Sequence, residues 1–174
     1  MIIGLFGLSG SGKSFINNQF KKKYSHFHCT SASNLLREAN RPISIDVLDN
    51  QDLDNNQKVL SQLIQQLNVK YKNIFIELHA VIEEKNGKTY SVKEDILRSF
   101  QLDQIYILDI SPIKILKQRN LDKSKYRPPI TLENLIRLQK IQNEILTRVF
   151  CNRIKTITTL EELEFEIKKS SSKF

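Results

Sequence analysis

The chain has no tryptophan, one methionine, four prolines and five glycines in 174 residues. Its whole thiol complement is Cys29 and Cys151, which fall in no Cys-x-x-Cys or metal-ligand spacing. That excludes a disulfide-dense scaffold and a thiolate metal centre. Both thiols are expected to be reduced and buried, in a cytoplasmic protein. No apolar run reaches the ~20 residues that cross a bilayer. The first residues carry no basic leader, so neither a signal peptide nor a membrane partner is expected. No repeat or low-complexity segment interrupts the chain. With 40% hydrophobic and 26% charged residues it has the balance of a globule with a buried core. Its length suits one domain over residues 1–174.

Acidic residues are in the minority, 19 against 27 lysines and arginines, for a net charge of +8. Such a surface attracts polyanions: nucleotides, RNA or an acidic protein. The lysines are scattered and no aromatic-basic RNA motif accompanies them, so charge alone does not choose among these.

What is present is an alternation of apolar segments. Residues 2–8 are apolar and partly β-branched and run into glycine, the pattern of a strand buried on both faces. Residues 14–23 predict a helix with Phe15, Ile16 and Phe20 on its inner face. Lys21, Lys22 and Lys23 end it, suited to the negative end of its dipole. Further strands are expected over 26–30, 73–77, 104–110 and 153–158. A helix starts at Asn34 with Ser33 as its cap. Another spans 55–69, where Val59, Leu60, Leu63, Ile64 and Leu67 share a face. Ser91 and Glu94 are expected to form a capping box ahead of Ile96, Leu97 and Phe100. Ser111 caps a helix over 113–120 with Pro112 in its first position. Thr131 opens what is expected to be the longest helix, with Leu135, Leu138, Ile141, Ile145 and Val149 inward. A last helix covers 161–168, and the tail 170–174 is expected to fray. Strands alternating with helices predict a parallel sheet covered on both sides.

The decisive segment is Gly7-Leu8-Ser9-Gly10-Ser11-Gly12-Lys13-Ser14, between the first strand and the first helix. It matches the phosphate-binding loop G-x-x-x-x-G-K-[ST] (Walker A) in the strand–helix context that the motif requires. Gly7, Gly10 and Gly12 let successive amides turn toward phosphate oxygens, and the helix N-terminus adds partial positive charge. Ser9, Ser11 and Phe15 complete the expected nucleotide-binding set. Lys13 is expected to reach the β- and γ-phosphates of ATP, and the Ser14 hydroxyl to hold Mg2+. The expected architecture is a three-layer P-loop NTPase fold: about five parallel strands, helices on both faces and a short lid.

With that loop at residue 7 and the segments below, the chain resembles the P-loop nucleoside monophosphate kinases, closest to archaeal-type adenylate kinases and their eukaryotic nuclear relatives. The likeness spans residues 2–158; only the phosphate loop is highly specific. Thr30-Ser31-Ala32-Ser33-Asn34-Leu35-Leu36-Arg37 resembles the segment that seats the acceptor, within an acceptor-binding region of about 31–69. Arg37 matches the arginine that grips the acceptor phosphate, where a guanidinium offers two parallel hydrogen bonds. Glu77-Leu78-His79-Ala80 is similar to the family's Asp-x-His-Ala segment. The resemblance implies that Glu77 orients magnesium, through water given its extra methylene, and that His79 positions a reactant. Asp109, ending a strand, is a second carboxylate candidate. Residues 119–130 resemble the lid, in which Arg119 and Arg127 match the arginines that close over the transferring phosphoryl group. Two departures bear on the acceptor. Gly87-Lys88-Thr89-Tyr90 lacks the family's Pro-Gly-x-Pro run, and residues 49–57 contain no arginine.

Two functions follow as expectations. One is ATP- and magnesium-dependent phosphoryl transfer to a nucleoside monophosphate, AMP or another. The other is a regulatory or RNA-associated ATPase that uses the same fold to switch an RNA or protein partner. A GTPase is disfavoured, because Asn120-Leu121-Asp122-Lys123 does not match the guanine-reading Asn-Lys-x-Asp segment.

Overall fold

Ile2–Phe6 form strand β1, buried along its whole length. A short apolar run of this kind is at home in the middle of a parallel sheet, and β1 is the central strand. The computed structural model describes residues 1–43, 48–84, 88–122, 127 and 129–171. In chain order the elements are β1, α1 (Lys13–Lys23), β2 (His28–Ser31), α2 (Ala32–Glu38), α3 (Asn50–Lys70), β3 (Ile74–Leu78), β4 (Val81–Glu83), β5 (Thr89–Ser91), α4 (Glu94–Ser99), β6 (Gln104–Leu108), α5 (Pro112–Leu121), α6 (Leu132–Phe150), β7 (Ile154–Ile157) and α7 (Leu160–Ser171).

Five strands form one parallel sheet in the order β2-β3-β1-β6-β7. The chain moves from β1 toward β2 by way of α1, then from β6 toward β7 by way of α5 and α6. These crossovers run in opposite directions, and right-handed connections put their helices on opposite faces. α1 touches α7, while α2, α3, α4, α6 and α5 form a continuous series of contacts. Phe20 of α1 stacks on Phe75 of β3 at 4.5 Å between centroids and meets Phe27 edge-on at 5.1 Å. Reversal of the winding direction beside β1 opens a crevice at the carboxyl ends of the strands, the usual ligand position in such sheets. Register puts Glu77 of β3 beside Leu5 of β1, two residues before Gly7.

Several expectations are corrected. Phe15 is 65% exposed. Ile16 and Phe20, four apart, define the buried face of α1, and Phe15 lies off it. Ser31, not Ser33, caps α2, its Oγ accepting from the Asn34 amide at 3.2 Å. The Ser91–Glu94 capping box does not form. Ser91 pairs with Val81 in a ladder, which holds its backbone extended, and α4 starts at Glu94 without a side-chain cap. α3 starts at Asn50, five residues early, because Asp49 and Asp52 make a reciprocal cap. Its 21 residues exceed the 19 of α6, so the helix after Thr131 is not the longest. Cys151 is exposed in a 3-10 turn after α6. Cys29 is half-buried, and desolvation pushes its thiol up to about 11. α7 runs through Ser170, whose hydroxyl donates to the Glu166 carbonyl. Residues 172–174 lie outside the described residues. The antiparallel hairpin β4–β5 was not anticipated at all. Among the described residues no helix is long and apolar enough to cross a membrane.

Candidate functional site

Where β1 ends, the chain turns through residues 7–12 into α1. Gly10 and Gly12 stand at φ +84° and +95°, the left-handed region that glycine reaches without a steric penalty. A Cβ on Gly10 would also lie 2.6 Å from Cγ of Arg119. Gly12 is the N-cap of α1 and offers no side-chain cap, which leaves the first-turn amides for an anion. The Lys13 ammonium donates to the carbonyls of Gly7 at 2.7 Å and Leu8 at 3.0 Å, folded back over the loop that presents it.

Glu77 is buried at the end of β3. Ser14 Oγ donates to its Oε2 at 2.9 Å and Asn17 Nδ2 to its Oε1 at 2.6 Å. Asn17 also donates to the Thr30 carbonyl at 3.0 Å, while its own Oδ1 is buried with no partner. A hydroxyl, a carboxylate and an orphaned amide oxygen are the hard donors that suit magnesium, which commonly takes one or two protein oxygens and completes its shell with phosphate and water. Ser14 and Glu77 are the residues that could hold it. Among the described residues no group of three or more His, Cys, Asp or Glu forms a metal cage.

A cleft of about 520 Å³ collects most of the expected residues: Ser9 to Phe15 of the loop and α1, Arg37, Glu77, His79 and Arg127. Gly7 does not line it but supplies one of the two carbonyls to which Lys13 donates. Four residues lining this cleft carry buried polar atoms without partners: Ser11 Oγ, Asn17 Oδ1, Gln118 Oε1 and Arg127 Nη1. Buried polar atoms in folded proteins are nearly always paired, so this concentration points to a polar ligand. Arg37 is exposed at the rim, Nη1 donating to Asn34 Oδ1 at 2.8 Å.

A second chamber, about 210 Å³, abuts the first and shares Ser9, Ala32, Ser33, His79 and Arg127 with it. Its other walls are mainly aliphatic, including Leu36, Leu53, Leu60 and Val81. Arg119 lines this chamber rather than the cleft. It was expected as a mobile lid residue, but it belongs to α5 and its side chain is only 4% exposed. Its guanidinium grips Glu83 of β4 with both arms, Nη1–Oε1 at 2.6 Å and Nη2–Oε2 at 2.8 Å. Arg127 Nη2 donates to Asp122 at 2.6 Å. The lid residues Lys123, Ser124, Lys125, Tyr126 and Pro128, and Gly87 of the stretch compared with the family pattern, lie outside the described residues. Asp109, the second carboxylate candidate, lines neither cavity and accepts from Gln139 Nε2.

Glu83, Asn17 and Gln57 also line these cavities and were not singled out from sequence. A signal for Glu83 existed: Asn86-Gly87 is a favoured hairpin turn, and it implies a strand on each side.

A family profile described as AAA domain matches residues 6–136. No curated protein matches the chain. Among solved structures, shikimate kinase from Acinetobacter baumannii in complex with shikimate superposes with a TM-score of 0.62 at 15% identity, covering 99% of this chain and 93% of that one. Shikimate kinase from Aquifex aeolicus gives 0.61 at 19% identity, over 99% and 96%. Deoxyadenosine kinase from M. mycoides, with the products dCMP and dCDP bound, gives 0.57 at 16% identity, over 99% and 100%. At these identities the likeness establishes the fold, that of the P-loop kinases.

Proposed function

The chain belongs to the AAA domain family, and from that premise we propose that its cleft transfers the γ-phosphoryl group of ATP to a nucleoside monophosphate, as an adenylate kinase does. The observation that carries this reading is the pair of abutting cavities, one wrapped by the phosphate loop, the other mainly aliphatic, meeting at Ser9, His79 and Arg127. Direct transfer needs donor and acceptor held in line and in contact, and two adjoining chambers supply that arrangement. A hydrolase needs only the first.

In this reading the loop amides and Lys13 hold the ATP phosphates, Lys13 exchanging the Gly7 and Leu8 carbonyls for phosphate oxygens. Phe15, exposed at the cleft, flanks the nucleotide. Ser14, and Glu77 through water, would hold magnesium, which would supply charge neutralisation at the phosphate oxygens. Arg37 grips the acceptor phosphate and His79 positions it. Arg127, with an unmet Nη1 donor between the chambers, stabilises charge on the transferring group, and Arg119 stands beside it. No general base is required, because a phosphate monoester oxygen is already a nucleophile at neutral pH. The lid corresponds to about 119–130, its first residues being the last turn of α5 with Arg119 fixed there, and the acceptor-binding region to about 31–69.

Incubation of the protein with ATP, Mg2+ and each ribo- and deoxyribonucleoside monophosphate, with the products resolved, tests this reading. Nucleoside diphosphate from the acceptor is the expected product. Free phosphate alone, stimulated by RNA or a protein, would support the regulatory ATPase instead.

A further inference from the structure

Asn17 lies on α1, three residues after Ser14 and so on the same side of the helix. Asparagine is a poor residue for a helix interior, and this one is 7% exposed, in the wall of the larger cleft. A buried amide that only holds a fold has its hydrogen bonds met. Asn56 is such a case: Oδ1 accepts from Arg41 Nε at 2.9 Å, and Nδ2 donates to the Pro42 carbonyl at 2.8 Å. Asn17 departs from that pattern. Its Nδ2 donates twice, to Glu77 Oε1 and to the Thr30 carbonyl, while its Oδ1 is buried with no partner among the described residues.

What those donations fix is the Glu77 carboxylate. Asn17 Nδ2 holds Oε1 at 2.6 Å and Ser14 Oγ donates to Oε2 at 2.9 Å, so α1 grips both oxygens. Through the Thr30 carbonyl, Asn17 also joins α1 to β2, whose Ser31 pairs in register with Glu77 of β3. The unmet Oδ1 follows from this geometry, because turning the amide over would set an acceptor against two acceptors. Glu77 in turn sets Ser14. A hydroxyl that gives its proton to a carboxylate turns its lone pairs elsewhere, and lone pairs are what it offers a metal.

We propose that Asn17 is a positioning residue for the magnesium-bound nucleotide: it holds Glu77, Glu77 orients the Ser14 hydroxyl, and the hydroxyl is thereby presented to the metal. The inference rests on the reading of the cleft as an ATP and magnesium site, and deepens it with a residue that acts only through another.

The test is calorimetric titration with ATP, once with Mg2+ and once with EDTA, together with the thermal midpoint of each protein. It is run on the native protein, Asn17→Ala, Glu77→Gln and the double variant. Mg2+ is expected to strengthen ATP binding to the native protein. In Asn17→Ala that enhancement should shrink by about tenfold, the usual loss when a partner of a metal-site residue is removed, while the Kd without Mg2+ holds. In the Glu77→Gln background, Asn17→Ala should change the enhancement no further. Asn17→Leu, which keeps the side-chain volume, gives the same comparison if Asn17→Ala does not fold. An enhancement undiminished in the Asn17 variants would overturn the inference. So would equal weakening with and without Mg2+, or a lowered Tm alone, either of which marks Asn17 as structural. Additive losses in the double variant would overturn it too, since Asn17 would then not act through Glu77. A native protein that binds ATP no better with Mg2+ than without would defeat the magnesium reading itself, and this inference with it.

Discussion

Lys13 and Arg127 both hold partners that ATP would displace or supplement: two loop carbonyls for the first, Asp122 for the second. Arg127 has the more diagnostic role. Its Nη1 is buried without a partner between the chambers, where charge would build on a transferring phosphoryl group. Arg127→Ala is expected to lower kcat by about a hundredfold, the usual loss when a donor to developing charge is removed. The Kd for ATP should change by only a few fold, as calorimetry would read it. Equal turnover would remove Arg127 from the mechanism. At this scale the phosphate loop was legible, because each residue type there has a local reason: glycine for φ, lysine for charge, serine for a hydroxyl ligand. Glu83 and Gln57 were not legible. Their significance comes from what stands opposite them: Glu83 meets Arg119 across 36 residues, and Gln57 lines a chamber formed by other segments. Phe15 was misread by a one-residue phase error on α1.

Among the elements, the hairpin β4–β5 ties the two sides of the second chamber together. Glu83 links it to α5 through the Arg119 fork, and Tyr90 links it to α3 through a 2.7 Å hydrogen bond to Asp54. Glu83→Ala removes the carboxylate that the buried Arg119 guanidinium grips with both arms. It should destabilise by about 3–5 kcal/mol in denaturant unfolding, whereas a surface pair would give under 1. The Asp54 link predicts a pH dependence. Hydrogen bonds from Lys93, then from Tyr90, hold the Asp54 carboxyl below its usual range. A depressed folded pKa means its contribution is complete above about pH 4, where the unfolded carboxyl ionises, and is lost as pH falls through the lower folded value. Asp54→Asn should flatten that acid limb of the stability curve, and added salt should weaken it in the native protein, since Lys93 is solvent-exposed. An unchanged acid limb would refute the link. The hairpin escaped the sequence because three-residue strands carry too little periodicity to register. Ser91 looked like a helix cap for the same reason. The cap at Asp49 was present as a spacing, and it moved the start of α3 by a turn.

At the scale of the molecule, the order of strands and helices was legible from the alternation of apolar runs, since a parallel sheet needs strands apolar on both faces and crossovers between them. Observed strand boundaries differ by one or two residues, the usual scatter of element ends. Pairing order could not be read that way. It is fixed by which helix lies on which face, a long-range consequence of crossover handedness. That order places β1 centrally and brings Glu77 beside the phosphate loop. The net charge of +8 adds a long-range attraction for a polyphosphate. The central claim is that the loop from Gly7 to Ser14, with Lys13, grips the phosphates of a nucleoside triphosphate. Calorimetric titration with ATP and Mg2+ at neutral pH tests it most directly, in the native protein and in Lys13→Ala with its fold verified by circular dichroism. Saturable one-to-one association that weakens by at least tenfold in the variant is the predicted result. Absence of association with the native protein, or equal affinity in both, would contradict it.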